Sequence, residues 1–414
     1  MPSSARMEAQ DPRSTIEGLT GFEGRGAGSD AERRAANWLA ARCAERIGEP
    51  QIETFWCRPN WALAHLWHVA LAVAGSLIAL ASPLAGIVLL AIALVSLVTD
   101  VLTGISLGRR LSPEHASQNV LVPAAGEPRI RLVLTANYDS GRIGLAYRLR
   151  PATARLERAL RGLAPGWLGW LAIAIVWLLV VAVLREKGHH SQLVGAVQLL
   201  PTIGLVFGFA LLLELSTGGW SPAAGDNASG VAAVLQTAAI LAGAPPQHLE
   251  VEVLLTGAGD AEQIGLRRYL RARHRHRKRR RGRADAVVLA IAACGGGALR
   301  WWRSDGSFLP LRYNASTRRL AQRIADDEAH LGATAHRGRG HTGALSARLA
   351  GLPALTIGCV DPAGTPPRSH RKTDTADAVD PEAVEKATSF ALLLIDGIDA
   401  AVGEEQRQDA PTPA

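Results

Sequence analysis

The chain has 414 residues, 48% of them hydrophobic, a formal net charge of +8 and four widely separated cysteines, Cys43, Cys57, Cys294 and Cys359. That length holds a sizeable core and membrane spans besides; the absence of a CxxC pair argues against a zinc knuckle or disulfide framework, and the amino terminus lacks the apolar stretch of a cleaved signal peptide. The positive charge favours acidic partners, a membrane surface or nucleic acid without choosing among them.

In chain order, residues 29–48 read as a helix opened by a capping box, Ser29 with Glu32, and residues 51–57 as a strand. Residues 61–99 then carry no formal charge. One span takes about 20 residues, so this block fits two helices, with Pro83 as the hinge that breaks the helical ladder. Strands are expected at 117–124 and 129–140. Residues 155–163 alternate arginine and leucine, as an interfacial helix or a solvated connector would. A second apolar block follows, 167–184 and 193–213, interrupted by the charged turn "REKGHH". Helices are expected at 228–243, 261–274, 318–332 and 380–402, with strands at 248–259, 284–294 and 351–359 between them. The tail from 404 to 414 reads as disordered.

The alternation predicts a three-layer α/β domain on a largely parallel, mixed sheet, with four transmembrane helices inserted as two hairpins. The polar domain occupies 1–60, 105–150 and 216–403, the first hairpin 61–104, and the interfacial helix with the second hairpin 151–215. Both hairpins begin and end on one side. That side carries Arg46, Arg58, Arg109, Arg110, Arg148, Arg150, Arg155, Arg158 and Arg161, against Arg185 and Lys187 on the other, so the polar domain is expected in the cytoplasm. Tryptophans 61, 67, 167, 170 and 220 suit interfacial belts.

In such sheets ligands bind beyond the carboxyl ends of the strands. Four segments bring polar groups there: "TANYDS", "AGDNASG", "TGAGDAE" and "RSHRKTDTAD", supplying Asn137, Asp139, Asp226, Asp260, His370 and Asp374. Carboxylates with imidazole are an oxygen and nitrogen set for zinc. Each aspartate taken singly also reads as a cap or turn residue.

Their order resembles the co-catalytic zinc peptidase family, the aminopeptidases related to glutamate carboxypeptidase and glutaminyl cyclase. "GDNASGVAAVLQTA" is similar to the family's D-N-x-S-G helix start, "LLTGAGDAEQIGLRRYL" to T-G-x-E-E-x-G-x-x-G, "VLTANYDS" to a strand ending in H-x-D-S, and "VVLAIAACGGG" to N-L-D-x-x-G. "HTGALSARLAGLPALTIG" and "SHRKTDTAD" resemble D-H-x-x-F…G-I-P-A and Y-H-T-x-x-D-T. The likeness runs from about Gly21 to Ala401 and leaves both hairpins outside it.

Family members bind two zinc ions bridged by one aspartate, here Asp226. The resemblance implies that one ion would also need a histidine where Asn137 stands and an aspartate where Ala292 stands, so that ion is expected to be absent. The other would use Asp226, Asp260 and His370, with Asp260 in place of a longer glutamate. One zinc is therefore the expected cofactor, and two are not. The family's general base would stand at Gly259, leaving no intact catalytic residue. A positioned base contributes roughly 10²–10⁴ in rate. Glu262, three residues on, is expected in the following helix. Asp139 has no imidazole to orient, His341 would line the pocket with Asn137, and Cys294 reads as a buried thiol.

A basic run centred on Arg275, Arg277, Lys278, Arg279, Arg280 and Arg281 suits anionic headgroups at about 1 kcal/mol per charge, or a plain solvated loop. Without interleaved aromatics it does not suit nucleic acid. The expected protein is a membrane-anchored, metallopeptidase-like pseudoenzyme, integral among lipids, acting by binding a peptide or protein. An active mononuclear zinc aminopeptidase is the alternative, and a membrane-surface adaptor using the basic run is the second.

Overall fold

A computed structural model describes residues 11–124, 130–149, 165–277 and 286–408. Nine strands form one sheet: β1 (Gln51–Cys57), β2 (His115–Val122), β3 (Arg131–Asn137), β4 (Glu250–Thr256), β5 (Ala286–Ile291), β6 (Ala298–Asp305), β7 (Leu311–Arg312), β8 (Thr334–Arg337) and β9 (Ala354–Val360). They lie in the order β1-β2-β4-β3-β5-β9-β6-β7, with β8 on β6. The central β4-β3-β5-β9 block is parallel, while β1, β2, β6 and β7 join by antiparallel pairing. The sheet is therefore mixed around a parallel centre.

Successive side chains of a strand point to opposite faces, and here both faces are covered. Leu132 and Leu134 of β3, with Leu289 and Ile291 of β5, enter one core; Val133 and Val288 enter the other. The first core is closed by helices α1 (Pro12–Thr20), α2 (Asp30–Ala44), α9 (Ser229–Gly243), α11 (Ala315–Asp327) and α13 (Pro381–Gln408). The second is closed by α10 (Ile264–Arg277) and α12 (Gly343–Leu349). Two layers of helix on a sheet buried on both sides explain why the central strands read as near-continuous apolar runs.

Four more helices, α3 (Trp61–Ile78), α4 (Pro83–Thr103), α7 (Trp167–Glu186) and α8 (Gln192–Thr217), are long and apolar enough to cross a membrane. They form a core of their own, which includes Leu90, Leu97, Leu168 and Ile175. Outward they present large apolar side chains such as Leu84, Val95, Val180, Leu200 and Phe207. Glycines let the first pair approach closely: a Cβ on Gly86 would come 2.7 Å from the Gly75 carbonyl oxygen. Pro83 opens α4 at its first turn, where its missing N–H has no partner to lose. Inside the bundle, Arg185 donates to Gln198 at 2.7 Å and Gln198 to the Ser76 carbonyl at 2.6 Å.

The topology decides where this bundle sits. β1 ends and β2 begins at the edge where the parallel strands β3 and β4 end. The first hairpin departs between β1 and β2 and the second after β3, so both leave from the carboxyl edge of the parallel strands.

Several expectations need amendment. Strand β6 was not anticipated, because Arg300 and Arg303 interrupt its apolar pattern; its Leu299 and Trp301 nevertheless enter the first core. β7, β8 and α1 are likewise additions. Helix α10 starts at Ile264, not at 261: Glu262 and Gln263 have φ of 62° and 61°, which a right-handed helix cannot include. Helix α13 continues to Gln408, into the expected tail, and 409–414 lie outside the described residues. So do Arg150, Arg155, Arg158 and Arg161, the expected interfacial helix at 155–163, and Lys278 to Arg281 of the basic run; Arg275 and Arg277 fall in the last turn of α10. The four cysteines are buried and unpaired.

Candidate functional site

Three loops beyond the parallel strands converge. They hold all the non-glycine residues with positive φ among the described residues: Ala223, Ala258, Glu262, Gln263, Arg368 and His370. Strain of this kind persists only where the surroundings over-determine it, and it gathers at functional sites.

The first loop, after β4, is held by acids from elsewhere. Asp139, fully buried, accepts the Gly259 N–H at 2.8 Å and the Asp260 N–H at 3.0 Å. Glu32 accepts the Ala258 N–H at 2.9 Å, the Gly28 N–H at 2.6 Å and the Ser117 hydroxyl at 2.8 Å. Its carboxylate thus reaches past its own helix start and pins the turn. Burial pushes Glu32 up to about 7, and burial with the Glu32 and Asp260 charges holds Asp139 well above the ordinary carboxylate range. Asp139 has become a clamp on the backbone of the turn.

The second loop makes one wide helical turn, Ala224–Ala228, at the start of α9, and Asp226 sits in it. Turns of this width are often found at functional sites. Asp374 accepts the Gly225 N–H at 2.8 Å and the Asp226 N–H at 3.1 Å; burial and the neighbouring Asp226 charge push it up to about 7. Beneath both loops, buried Arg25 donates to the carbonyls of Tyr138, Pro222 and Ala223 at 2.9, 2.6 and 2.9 Å. No motif announced Arg25.

The third loop brings His370. Its Nδ1 lies 3.0 Å from the Arg142 carbonyl oxygen, which can only accept, so Nδ1 carries a proton and Nε2 is the nitrogen that a neutral ring would offer to a metal. That Nε2 lies 3.5 Å from Asp260 Oδ1 and 3.7 Å from Asp226 Oδ2. Tyr147 of the short helix α6 (Leu145–Arg148) stacks on the imidazole at 3.8 Å between centroids. Ser369 donates to Asp226 at 2.9 Å, and the Trp61 indole N–H reaches Asp260 at 3.5 Å. The side chains of His370, Asp226 and Asp260 are only 11%, 12% and 16% exposed, so the cleft is almost closed. Burial keeps the Asp260 carboxyl above its usual range despite His370.

A lone pair facing two carboxylates is a donor set that one zinc fits, with the Arg142 carbonyl orienting the imidazole as an outer contact. Asn137 offers a neutral carboxamide and its amide reaches only Asp139, at 3.4 Å, while Ala292 offers no donor. Asp226, Asp260 and His370 do not each have a ligand atom within 4.8 Å of both others, so holding even the single ion requires the two carboxylates to draw in towards the imidazole.

At Gly259 the turn lies directly against Asn137. A Cβ built there would run first into the Asn137 Cβ, with Cγ at 2.7 Å and Nδ2 at 3.0 Å. The whole Asn137 side chain, from its Cβ outward, fills the space in which a side chain at 259 would begin. Glu262 does not replace it: its side chain turns away from His370 to pair with Arg109. His341 faces the same side, within 3.3 Å of Arg267 and 2.9 Å from the Ser346 hydroxyl, and burial with Arg267 lowers it to about 3. The neighbourhood of Glu262 is a second polar cluster that the motifs did not signal. Its trace in the sequence is His65, His68 and Asp100 standing in otherwise apolar helices.

Residues 214–395 match the sequence profile of Peptidase family M28. No curated protein matches the chain. Among solved structures, the Legionella pneumophila LapA aminopeptidase is similar with a TM-score of 0.50 and 12% identity, over 95% of this chain and 72% of that one. Bacteroides thetaiotaomicron glutaminyl cyclase bound to N-acetylhistamine gives 0.50 and 14% over 94% and 97%. BSAP, a zinc aminopeptidase from Bacillus subtilis, gives 0.50 and 13% over 94% and 94%. At these identities the likeness is one of fold.

Proposed function

We propose, on the premise that the chain carries a peptidase family M28 domain, that this domain is a membrane-anchored binding module in which hydrolysis has been lost. The observation that carries the reading is the packing at Gly259, where the turn lies so close to Asn137, its Cβ included, that no side chain of a general base has room to start. Asp226, Asp260 and His370 would hold one zinc, which when bound supplies a Lewis acid. Without a base at 259, nothing stands ready to take a proton from a water beside that ion. Arg142, stacked at 4.2 Å over the Trp220 ring, lines the approach. A peptide amino terminus, cationic and small, suits a cleft whose acids outnumber its bases.

Anchoring rests on the four apolar helices, and the arginine-rich flanks favour a cytoplasmic polar domain. Arg109 contributes less to that bias than its position suggests, being buried in ion pairs.

A second reading, an active mononuclear aminopeptidase on the same three ligands, is favoured by the bare His370 Nε2 facing two carboxylates. One assay separates them. Full-length protein in detergent, supplied with zinc, is expected to leave aminoacyl-p-nitroanilides and unblocked peptides uncleaved. Turnover that disappears in Asp226→Ala would establish the enzyme and end the binding-module reading.

A further inference from the structure

We propose that His65, Asp100 and Glu262 form a second divalent-cation site, of the zinc type, at the seam between the first hairpin and the peptidase-like domain. The three come from separate segments: His65 from α3, Asp100 from the end of α4, Glu262 from the left-handed turn before α10. Among the described residues, this is the one group of three such donors whose ligand atoms all lie within 4.8 Å of one another. None of them belongs to the cleft set of Asp226, Asp260 and His370.

The spacing suits a metal better than hydrogen bonds. His65 Nε2 stands 3.6 Å from Asp100 Oδ2 and 3.8 Å from Glu262 Oε1. Both distances are beyond a hydrogen bond. Donors around a tetrahedral zinc, each about 2.0–2.1 Å from the ion, are roughly 3.3–3.5 Å apart. The side chains of His65 and Asp100 are entirely buried, and their two facing atoms, Nε2 and Oδ2, have no hydrogen-bond partner. Two buried polar atoms without a partner are costly unless something lies between them.

The outer contacts match those of a metal site. Arg109 donates through Nε to Asp100 Oδ1 at 2.6 Å and through Nη2 to Glu262 Oε2. Each carboxylate thus gives one oxygen to the guanidinium and leaves the other turned towards His65. The His65 Nδ1 pairs with His68 Nδ1 at 3.2 Å, and His68 Nε2 with the Ser96 hydroxyl at 2.9 Å. Ligands held from behind in this way are the usual outer shell of a metal site. Ionisable residues inside apolar spans are themselves markers of function. The ion would tie the hairpin to the turn that carries Asp260, two residues before Glu262.

Elemental analysis of the full chain in detergent, dialysed against trace zinc, tests this in Asp226→Ala protein, where the cleft has lost its central ligand. About one zinc per chain is expected to remain, and Asp226→Ala/Asp100→Asn is expected to hold essentially none. Asp100→Asn keeps the shape and an oxygen for Arg109 while removing the anionic ligand. Cobalt is expected to give tetrahedral d–d absorption in Asp226→Ala protein and not in the double variant. Should Asp100→Asn fail to fold, His68→Ala serves in its place, with zinc affinity expected to fall about 10–100-fold. An Asp226→Ala protein without metal, or zinc retention indifferent to both Asp100→Asn and His68→Ala, overturns the proposal. Failure of the cleft to hold zinc shows separately, as equal metal content in wild type and Asp226→Ala.

Discussion

The cleft and the seam sit on either side of one turn, two residues apart, and use their acids in opposite ways. In the cleft most carboxylate oxygens are spent on the backbone: Asp139 on Gly259 and Asp260, Asp374 on Gly225 and Asp226, Glu32 on Gly28 and Ala258. Positions 137, 259 and 292 of the cleft are Asn, Gly and Ala, none of which supplies a charged ligand. At the seam, two buried ligand atoms, His65 Nε2 and Asp100 Oδ2, have no hydrogen-bond partner. The difference teaches that acids on either side of one turn can serve as architecture or stand unspent. Those of the cleft that hold loops in shape keep the pattern visible whatever chemistry the cleft performs.

The comparison can be broken most directly at Arg109. Arg109→Met strips the buried Asp100 and Glu262 of their ion-pair partner, leaving only the Arg267 charge nearby, and such losses cost about 3–5 kcal/mol. Thermal unfolding in detergent is expected to show that loss in metal-free protein and partial recovery with zinc. No loss, or a loss that zinc leaves unchanged, would mean that the seam is not organised around charge.

A smaller effect is expected on the cleft side. Gly259→Ala forces a methyl into Asn137, an overpacking that costs about 1–3 kcal/mol. In the Asn137→Gly background the cost is expected to fall away, giving a double-mutant coupling of about 0.5–3 kcal/mol. Additive single and double variants would show that Asn137 does not occupy that space.

The smallest effect is on the pH profile. A carboxyl whose folded pKa lies above its unfolded value binds its proton more tightly when folded. Its contribution to stability is complete below the unfolded pKa, near 4, and vanishes as the pH climbs through the folded value. Glu32, raised by burial to about 7, is expected to make stability fall between about pH 4 and 7. In Glu32→Gln that decline should be shallower, with Asp139 still contributing in the same direction. Denaturation midpoints at several pH values measure it, and an unchanged slope would mean Glu32 is ionised throughout.

Much of the fold was legible because its signals are local. Apolar runs mark β3, β4, β5 and β9, Pro83 marks the hinge, and "GDNASG" marks the entry to α9. The cleft trio was legible through motif order. The meeting of His65, Asp100 and Glu262 was not, because no period or spacing links residues in two helices and a distant turn. Glu262 misled for a related reason: an ungapped pattern assumes helix where Glu262 and Gln263 are left-handed. β6 was hidden because Arg300 and Arg303 interrupt the apolar pattern whose Leu299 and Trp301 enter the core.

Both hairpins spring from the carboxyl edge of the parallel strands, and this governs how the cleft can be reached. Trp61 at the start of α3 and Tyr147, packed on the bundle, roof Asp260 and His370. With the apolar helices in a bilayer, a visitor from bulk water would find the entrance screened, whereas a chain end already tethered to lipid would meet it by lateral diffusion. On the proposed membrane-anchored reading, that geometry would trade a search through volume for a search over a plane.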